Sequence, residues 1–307
     1  MKSVLVAGEL NPDLVLQGYH AFPALGKEVL ADDFVSTLGS ASAICAMGLA
    51  RLGTPVSFLS KVGQDIWGDF CIDALRSAGI DVSRIRREPV LKTGVTVSVT
   101  SRTDRALITY LGSIVALRGE DVGDAAFGGF DHLHVSSYFL QEGLRSSCRD
   151  LFERATAHGL TTSLDPGFDP SETWGRDLIE TLTAVDLFFP NEVELTAITG
   201  QAKTTKALER LENGRTLTVG KLGARGCAVR EAGRLVQVPA FEVDVVDTTG
   251  AGDSFDAGFL HAWLGGSSLR DCLRYGAACG ALSTRAVGGT PGQPTSADVD
   301  ALLRTRP

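Results

Sequence analysis

The sequence predicts an α/β protein with a mainly parallel central sheet and a small β-sheet lid. Two patterns carry that expectation. From about residue 120 onward, short apolar runs alternate with stretches of helical periodicity, as parallel βαβ units require. Before that point the alternation breaks twice, at paired strand-like runs with no helix between them. These are Leu14 to Leu16 with Val29 to Val35, and Val95 to Ser101 with Ala106 to Leu111. A lid made of two separated insertions accounts for both pairs. Extra edge strands on the main sheet would read the same way.

Taken in order, Val4 to Ala7 reads as a buried first strand. Gly8-Glu9-Leu10-Asn11-Pro12-Asp13 follows, placing polar groups where ligands of open α/β sheets collect. Asn11 offers a donor and an acceptor and Asp13 offers acceptors, which suits a polyhydroxylated ligand, although N-P-D is equally a plain turn. The small residues of Leu38-Gly39-Ser40-Ala41-Ser42-Ala43 lead into a helix through Arg51 and permit close backbone approach at its start. Val56 to Gly63 is the next strand. Thr103-Asp104 makes a hairpin turn flanked by Arg102 and Arg105. Later strands are expected at His132 to Ser136, Thr161 to Leu164, Leu187 to Phe189, Leu217 to Val219 and Ala228 to Val229. Helices are expected at Leu144 to His158 and Thr204 to Glu212, and a small-residue helix at Gly276 to Thr284. His132 and His134 alternate at metal-ligand spacing, but no further ligands lie nearby, so strand packing is the better account.

The 307 residues suffice for one large α/β domain or two smaller ones. A net charge of -8 argues against a general nucleic-acid binder. The six cysteines are scattered with no C-x-x-C pair, which predicts buried free thiols and a reducing compartment. The amino-terminal apolar run is too short for a signal peptide or a membrane span. A cytoplasmic enzyme with neither nucleic acid nor membrane as partner is expected.

The most informative stretch is Asp247-Thr248-Thr249-Gly250-Ala251-Gly252-Asp253-Ser254-Phe255. It follows an apolar, strand-like run, Phe241 to Val246, and opens a helix in which Phe255, Phe259 and Trp263 recur every four residues. Gly250, Ala251 and Gly252 therefore sit at a strand-to-helix junction, where a tight turn, free amides and the positive helix end make an anion site suited to phosphate. Asp253 in such a cradle repels an anion unless it has another task, and accepting a proton from an attacking nucleophile fits. A helix cap is the bland alternative.

The nine-residue string closely resembles the signature D-T-T-G-A-G-D-x-F of the PfkB (ribokinase-like) carbohydrate kinases. The resemblance implies a three-layer αβα core, one domain spanning 1–307, and a β lid from about 12–36 and 94–112. It implies ATP-dependent transfer of a phosphoryl group to a hydroxyl of a sugar or sugar-like acceptor. Asp253 would be the base and Gly250, Ala251 and Gly252 the anion hole. Asn11, Asp13, Gly39 and Ser40, with Asp253, would bind the acceptor. Pro190-Asn191-Glu192-Val193-Glu194 resembles the family's N-x-x-E motif, with Glu194 organising Mg2+ through water and Asn191 near the nucleotide phosphates; a helix beginning with favourable acids is the alternative. Lys221-Leu222-Gly223-Ala224-Arg225-Gly226 resembles the nucleotide-binding L-G-x-x-G loop, giving Lys221, Gly223, Gly226 and Gly252 nucleotide-side roles. Lys221 is almost as readily a solvated loop lysine. In some family members a potassium ion lies beside the residue matching Asp247, and here Thr249 is its neighbour. The lid often mediates dimerisation, which implies a homodimer.

The amino-terminal signature departs from the family. Leu38 and Ala43 stand where relatives usually carry Gly and often Asn. That change predicts a neutral acceptor with a primary hydroxyl and a less polar face, such as a deoxysugar or a nucleoside, ahead of free ribose. A nucleoside kinase of the same family is one rival reading. A catalytically silent sugar- or nucleotide-binding sensor is another, against which the intact Asp253 and Glu194 weigh. No G-x-G-x-x-G follows the first strand and no G-x-x-x-x-G-K-[ST] occurs, which argues against dehydrogenase and P-loop readings.

Overall fold

The computed structural model describes residues 2–19, 21–22, 24–100 and 105–305. The central sheet has nine strands: β1 (Val4–Ala7), β4 (Val56–Gly63), β5 (Asp81–Glu88), β8 (His132–Val135), β9 (Thr161–Leu164), β10 (Leu187–Phe188), β11 (Leu217–Lys221), β12 (Cys227–Glu231) and β13 (Arg234–Val238). Their order is β13-β12-β11-β10-β9-β8-β1-β4-β5. Every pair from β5 to β11 is parallel, and among the described strands of this sheet only β12 is reversed, pairing antiparallel with both β11 and β13 at one edge. β5 and β13 were not expected: β5 is polar and arginine-rich, β13 is a short run with Arg234 and Gln237 on its wet positions, and both are edge strands.

The helices are α1 (Ala41–Arg51), α2 (Ile66–Ser77), α3 (Glu142–Arg145), α4 (Cys148–Ala157), α5 (Arg176–Leu182), α6 (Glu192–Thr199), α7 (Thr204–Arg210), α8 (Ala251–Leu264), α9 (Leu269–Ser283) and α10 (Ser296–Thr305). They cover both faces of the sheet, and the period of a strand shows why. Val4 and Val6 of β1 join the core with α1, α2, α8 and α9, whereas Leu5 and Ala7 join the core with α4, α5, α6 and α7. The result is the three-layer αβα arrangement. Phe259 of α8 is fully buried against Phe189, with ring centroids 5.3 Å apart, and ties that helix to the sheet.

The second sheet has four strands in the order β3-β2-β6-β7, from β2 (Pro12–Gln17), β3 (Asp33–Leu38), β6 (Val95–Thr100) and β7 (Arg105–Tyr110). Register divides its faces. Asp13 lies opposite Thr96, Val15 opposite Ser98 and Thr96 opposite Thr109, all toward the central sheet's ligand end. The other face carries Phe34, Ile108 and Tyr110, each more than half exposed.

Three expectations need correction. Phe241 to Val246 is not a strand: the chain there is extended without a ladder, and Val246 and Asp247 instead donate their amides to Thr284 O. Its alternation is that of a cavity wall, with Val243 and Val245 lining a cavity while Glu242 and Asp244 face solvent. The second strand of the smaller sheet begins at Asp33 rather than Val29 and runs through Leu38. The helix expected from Leu144 is two, α3 and α4, broken at Ser146-Ser147. Arg102, Thr103 and Asp104, the expected hairpin turn, lie outside the described residues.

All six cysteines are buried and unbridged. His132 and His134 are buried and hydrogen-bonded to Thr161, Ser163 and Ser136, and burial depresses both below the usual histidine range. Among the described residues no helix is long and apolar enough to cross a membrane.

Candidate active site

The site is built around the start of α8. Gly250 precedes the helix at φ +71°, in the left-handed region that favours glycine. A Cβ there would stand 2.8 Å from Gly289 Cα and 3.0 Å from Ile44 Cγ2, so glycine is required by space as well as by torsion. Asp247 braces the turn. Its Oδ1 accepts from Thr249 N and Thr249 Oγ1 at 2.9 and 2.8 Å, and its Oδ2 accepts from Gly288 N at 2.8 Å. The Asp247, Thr249 and late-loop residues singled out for a monovalent cation are thus brought together.

No side chain caps α8. Asp253 is therefore not spent on the helix's own amides, which removes the cap reading. It is half-buried and lines one cavity, while its neighbour Gly252 lines another. Burial, and after it the charge of Asp165, push its carboxyl up to about 8 from an ordinary 3.8, with Lys221 acting in the opposite direction and Glu9 and Glu194 adding to the rise.

One cavity gathers Asn11, Asp13, Ser40 and Asp253 under the second sheet. Asn11 is 3% exposed, with Nδ2 donating to Pro12 O and Thr96 Oγ1. Gly39 is needed beside Asp13, since a Cβ there would fall 2.1 Å from Asp13 Oδ1. Ser40 is held at φ +70°, a strained torsion for a non-glycine residue. Its hydroxyl donates to Glu9 O at 2.5 Å and accepts from Ala43 N, capping α1. Leu38 and Ala43 do not face this cavity; both are packed in the core. Its apolar wall comes instead from Val15, Ile44, Leu107, Ile114 and Leu140. The cavity also contains Glu9, which the sequence reading passed over. Glu9 Oε2 accepts from Ser42 Oγ at 2.6 Å, and burial holds its carboxyl above the usual range. The signal was an acid directly at the end of the first strand.

The other cavity is lined by Lys221, Gly223, Gly226, Ala251 and Gly252, with Phe241, Val243 and Ala277 as apolar walls. Gly226, at φ +86°, has no room for a Cβ, which would lie 1.9 Å from Val238 O. Asn191 and Glu194 stand apart from this lining. They form a reciprocal capping box on α6: Glu194 N donates to Asn191 Oδ1 at 3.0 Å, and Asn191 N donates to Glu194 Oε2 at 2.8 Å. Asn191 nonetheless bridges to Lys221, and burial together with the Asp165 charge pushes Glu194 up to about 7.

Between the two cavities lies a buried ionic cluster, and two of its members were missed from the sequence. Lys221 Nζ donates to Asp165 Oδ2 at 2.5 Å and to both oxygens of Asp256 at 3.1 Å. Lys221 is therefore no solvated loop lysine. Asp165 follows β9 and Asp256 follows Asp253 by one turn of α8, on the helix's buried side. The i, i+3 spacing of two acids was the available signal. Carboxylate oxygens of Asp165, Asp253 and Asp256 lie within 4.8 Å of one another, and the cation this cluster holds is the Lys221 ammonium. Burial alone would depress Lys221, but Asp165 and Asp256 reverse it and hold the lysine well above its usual range. Burial opposes ionisation of Asp165, yet Lys221 and the surrounding donors keep it below the ordinary range; Asp256, wholly buried, is held above it.

A family profile described as pfkB family carbohydrate kinase matches residues 1–296. The chain is 31% identical over 307 residues to an ATP-dependent ribose-1-phosphate kinase of Halopiger xanaduensis, covering 100% of this chain and 99% of that one. It is 28% identical over 308 residues to a ribokinase of Bacillus subtilis, with 99% and 100% covered. Among solved structures, Arabidopsis thaliana ribokinase complexed with ribose and ATP superposes with a TM-score of 0.85 at 25% identity, covering 99% of both chains.

Proposed function

The chain belongs to the pfkB family of carbohydrate kinases and is a carbohydrate kinase, and we propose that it transfers the γ-phosphoryl group of ATP to a hydroxyl of a neutral sugar or nucleoside, with Asp253 as the general base. One observation carries this reading. Gly250 and Asp253 border the cavity under the second sheet, while Ala251 and Gly252 border the opposite cavity. The first turn of α8 is thus a partition between an acceptor space and a nucleotide space, which is where a phosphoryl group in flight must pass.

Asp253 accepts the proton of the acceptor hydroxyl as its oxygen attacks the γ-phosphorus, and the bond to the β-phosphate oxygen breaks to release ADP. Helix-start amides around Gly250 to Gly252 offset charge on the transferred group. The oxygen chemistry of Glu194 fits Mg2+ held through water: a buried carboxylate with a raised proton affinity is relieved by a nearby cation. Mg2+ there would screen the nucleotide phosphates. Asp247 and Thr249 suit a monovalent cation such as potassium, which would brace the glycine turn. The second sheet serves as a lid that excludes water, and its exposed Phe34, Ile108 and Tyr110 suit a homodimer contact.

The acceptor class follows from the charges on the wall. Glu9, Asp13 and Asp253 are acidic, and no lysine or arginine is among the described lining residues. A phosphorylated or carboxylated acceptor would meet repulsion with no partner. Comparing kcat/KM for ribose, 2-deoxyribose, fructose, ribose-1-phosphate, ketodeoxygluconate and several nucleosides tests this. A neutral acceptor should lead by at least about tenfold, the discrimination of one unmet charged contact; preference for ribose-1-phosphate or ketodeoxygluconate would refute it.

A further inference from the structure

The family resemblance gives Lys221 a nucleotide-side role, yet the lysine is buried between two aspartates. Lys221 is 11% exposed in its side chain, Asp165 6% and Asp256 0%. Burying three ionisable groups is costly, and replacing such a cluster with apolar residues is often neutral or stabilising. Its position is the informative feature. A Cβ at Gly252 would stand 3.3 Å from Lys221 Nζ, so the ammonium is pressed beneath the anion-hole glycine, one residue from Asp253. The cluster also joins three elements: β9 through Asp165, β11 through Lys221 and α8 through Asp256.

We propose that Lys221 is a positioning residue whose ammonium, locked between Asp165 and Asp256, sets the charge of Asp253 and presents a fixed positive charge behind the anion hole. The inference rests on Asp253 as the base, and it deepens that reading. Groups facing Asp253 come from the elements packed around it: Glu9 after β1, Asp13 on β2 across the shared cavity, Asp165 after β9, Glu194 on α6, Lys221 at the end of β11, Cys45 on α1 and Asp256 on α8. Asp165, Glu9 and Glu194 disfavour ionisation of Asp253, whereas Cys45 and Asp256 are themselves held above their ordinary ranges. Lys221 is the one cation in the set. Without it the base would hold its proton more tightly and be ionised less often at neutral pH.

The test uses the full chain, with aspartate carboxyl carbons labelled for NMR. The Asp253 resonance is assigned by its loss in Asp253→Asn, and its titration is followed without acceptor. In Lys221→Met the Asp253 midpoint should rise by about one pH unit or more, the effect of removing one close opposite charge. In Asp165→Asn it should fall by a similar amount, because a like charge is removed. In the double variant the two effects should largely cancel, and the melting temperature lost in Lys221→Met should return. Turnover of 2-deoxyribose at pH 7 should drop about tenfold in Lys221→Met, following the lost fraction of ionised base. A merely structural lysine would not give shifts of opposite sign. An unchanged or lower midpoint in Lys221→Met overturns the inference. Should that variant not fold, an unchanged or higher midpoint in Asp165→Asn does so. If the midpoints move as expected while Asp253→Asn keeps its turnover, it is the base assignment that fails, and Lys221 still sets the charge of Asp253.

Discussion

Two helices begin at the ligand end of the central sheet with an acid in their first turn, and they use it in opposite ways. At α6, Glu194 is folded back onto Asn191 and the two satisfy each other's amides. At α8, a left-handed glycine takes the cap position, no side chain caps the helix, and Asp253 is left lining a cavity. Capping contributes roughly 1 kcal/mol to a helix. α8 forgoes that and is held instead by tertiary packing, with Phe255, Phe259 and Leu260 in the core. An acid at a helix start is thus informative only when it is not used locally. The α8 turn spends the Thr249 and Ala251 amides on Asp247 Oδ1 and Thr248 O, but it keeps its carboxylate for something else.

The largest expected effect is at the open turn. Asp253→Asn should lower kcat by about two to four powers of ten, as loss of a positioned base does. The same variant should be more stable than the parent. Asp253 is raised in the folded state, from 3.8 to about 8, so the folded chain holds a proton there that the unfolded chain releases. That contribution is full below about pH 4 and lost as pH rises to 8. The melting-temperature gain of Asp253→Asn should therefore grow between pH 4 and 8. A near-normal kcat in a folded Asn variant would erase the contrast between the two helices.

Gly250→Ala comes next. The added methyl meets Gly289 and forces an L residue into the left-handed region, at a cost of about 1–2 kcal/mol. The shifted turn should lower kcat by about a hundredfold, the penalty for misplacing reacting groups by about 1 Å. A loss of stability without a loss of kcat would mean that the turn does not position the reaction.

Glu194→Gln probes the closed turn. Glutamine still completes a capping box, so the melting temperature should hold. The Mg2+ concentration needed for half-maximal turnover should rise about tenfold if the carboxylate orders the metal's waters. An unchanged Mg2+ requirement would make α6 a purely structural helix start and sharpen the comparison. Potassium is expected to have the smallest effect. Replacing a large organic cation with K+ at equal ionic strength should raise turnover a few-fold by bracing Asp247 and Thr249. No response would remove the cation and leave the kinase assignment intact.

What the sequence determined by itself was local. The parallel α/β core follows from alternating apolar and helical periods, and the α8 turn from nine consecutive residues whose glycines, amides and acid need no distant partner to be recognised. The four strands of the second sheet were legible for the same reason, although β3 began later than its apolar residues suggested. Tertiary structure alone decided which residues share a space. The sequence places Leu38 and Ala43 facing the acceptor, but a strand's pleat and a helix's pitch turn them into the core and set the buried Ile44 against the cavity instead. Lys221, Asp165 and Asp256 come from three separate elements, and nothing in their own neighbourhoods marks them as one ionic cluster. The charge state of Asp253 depends on that cluster, because Coulomb interactions act through space at low dielectric and are indifferent to distance along the chain.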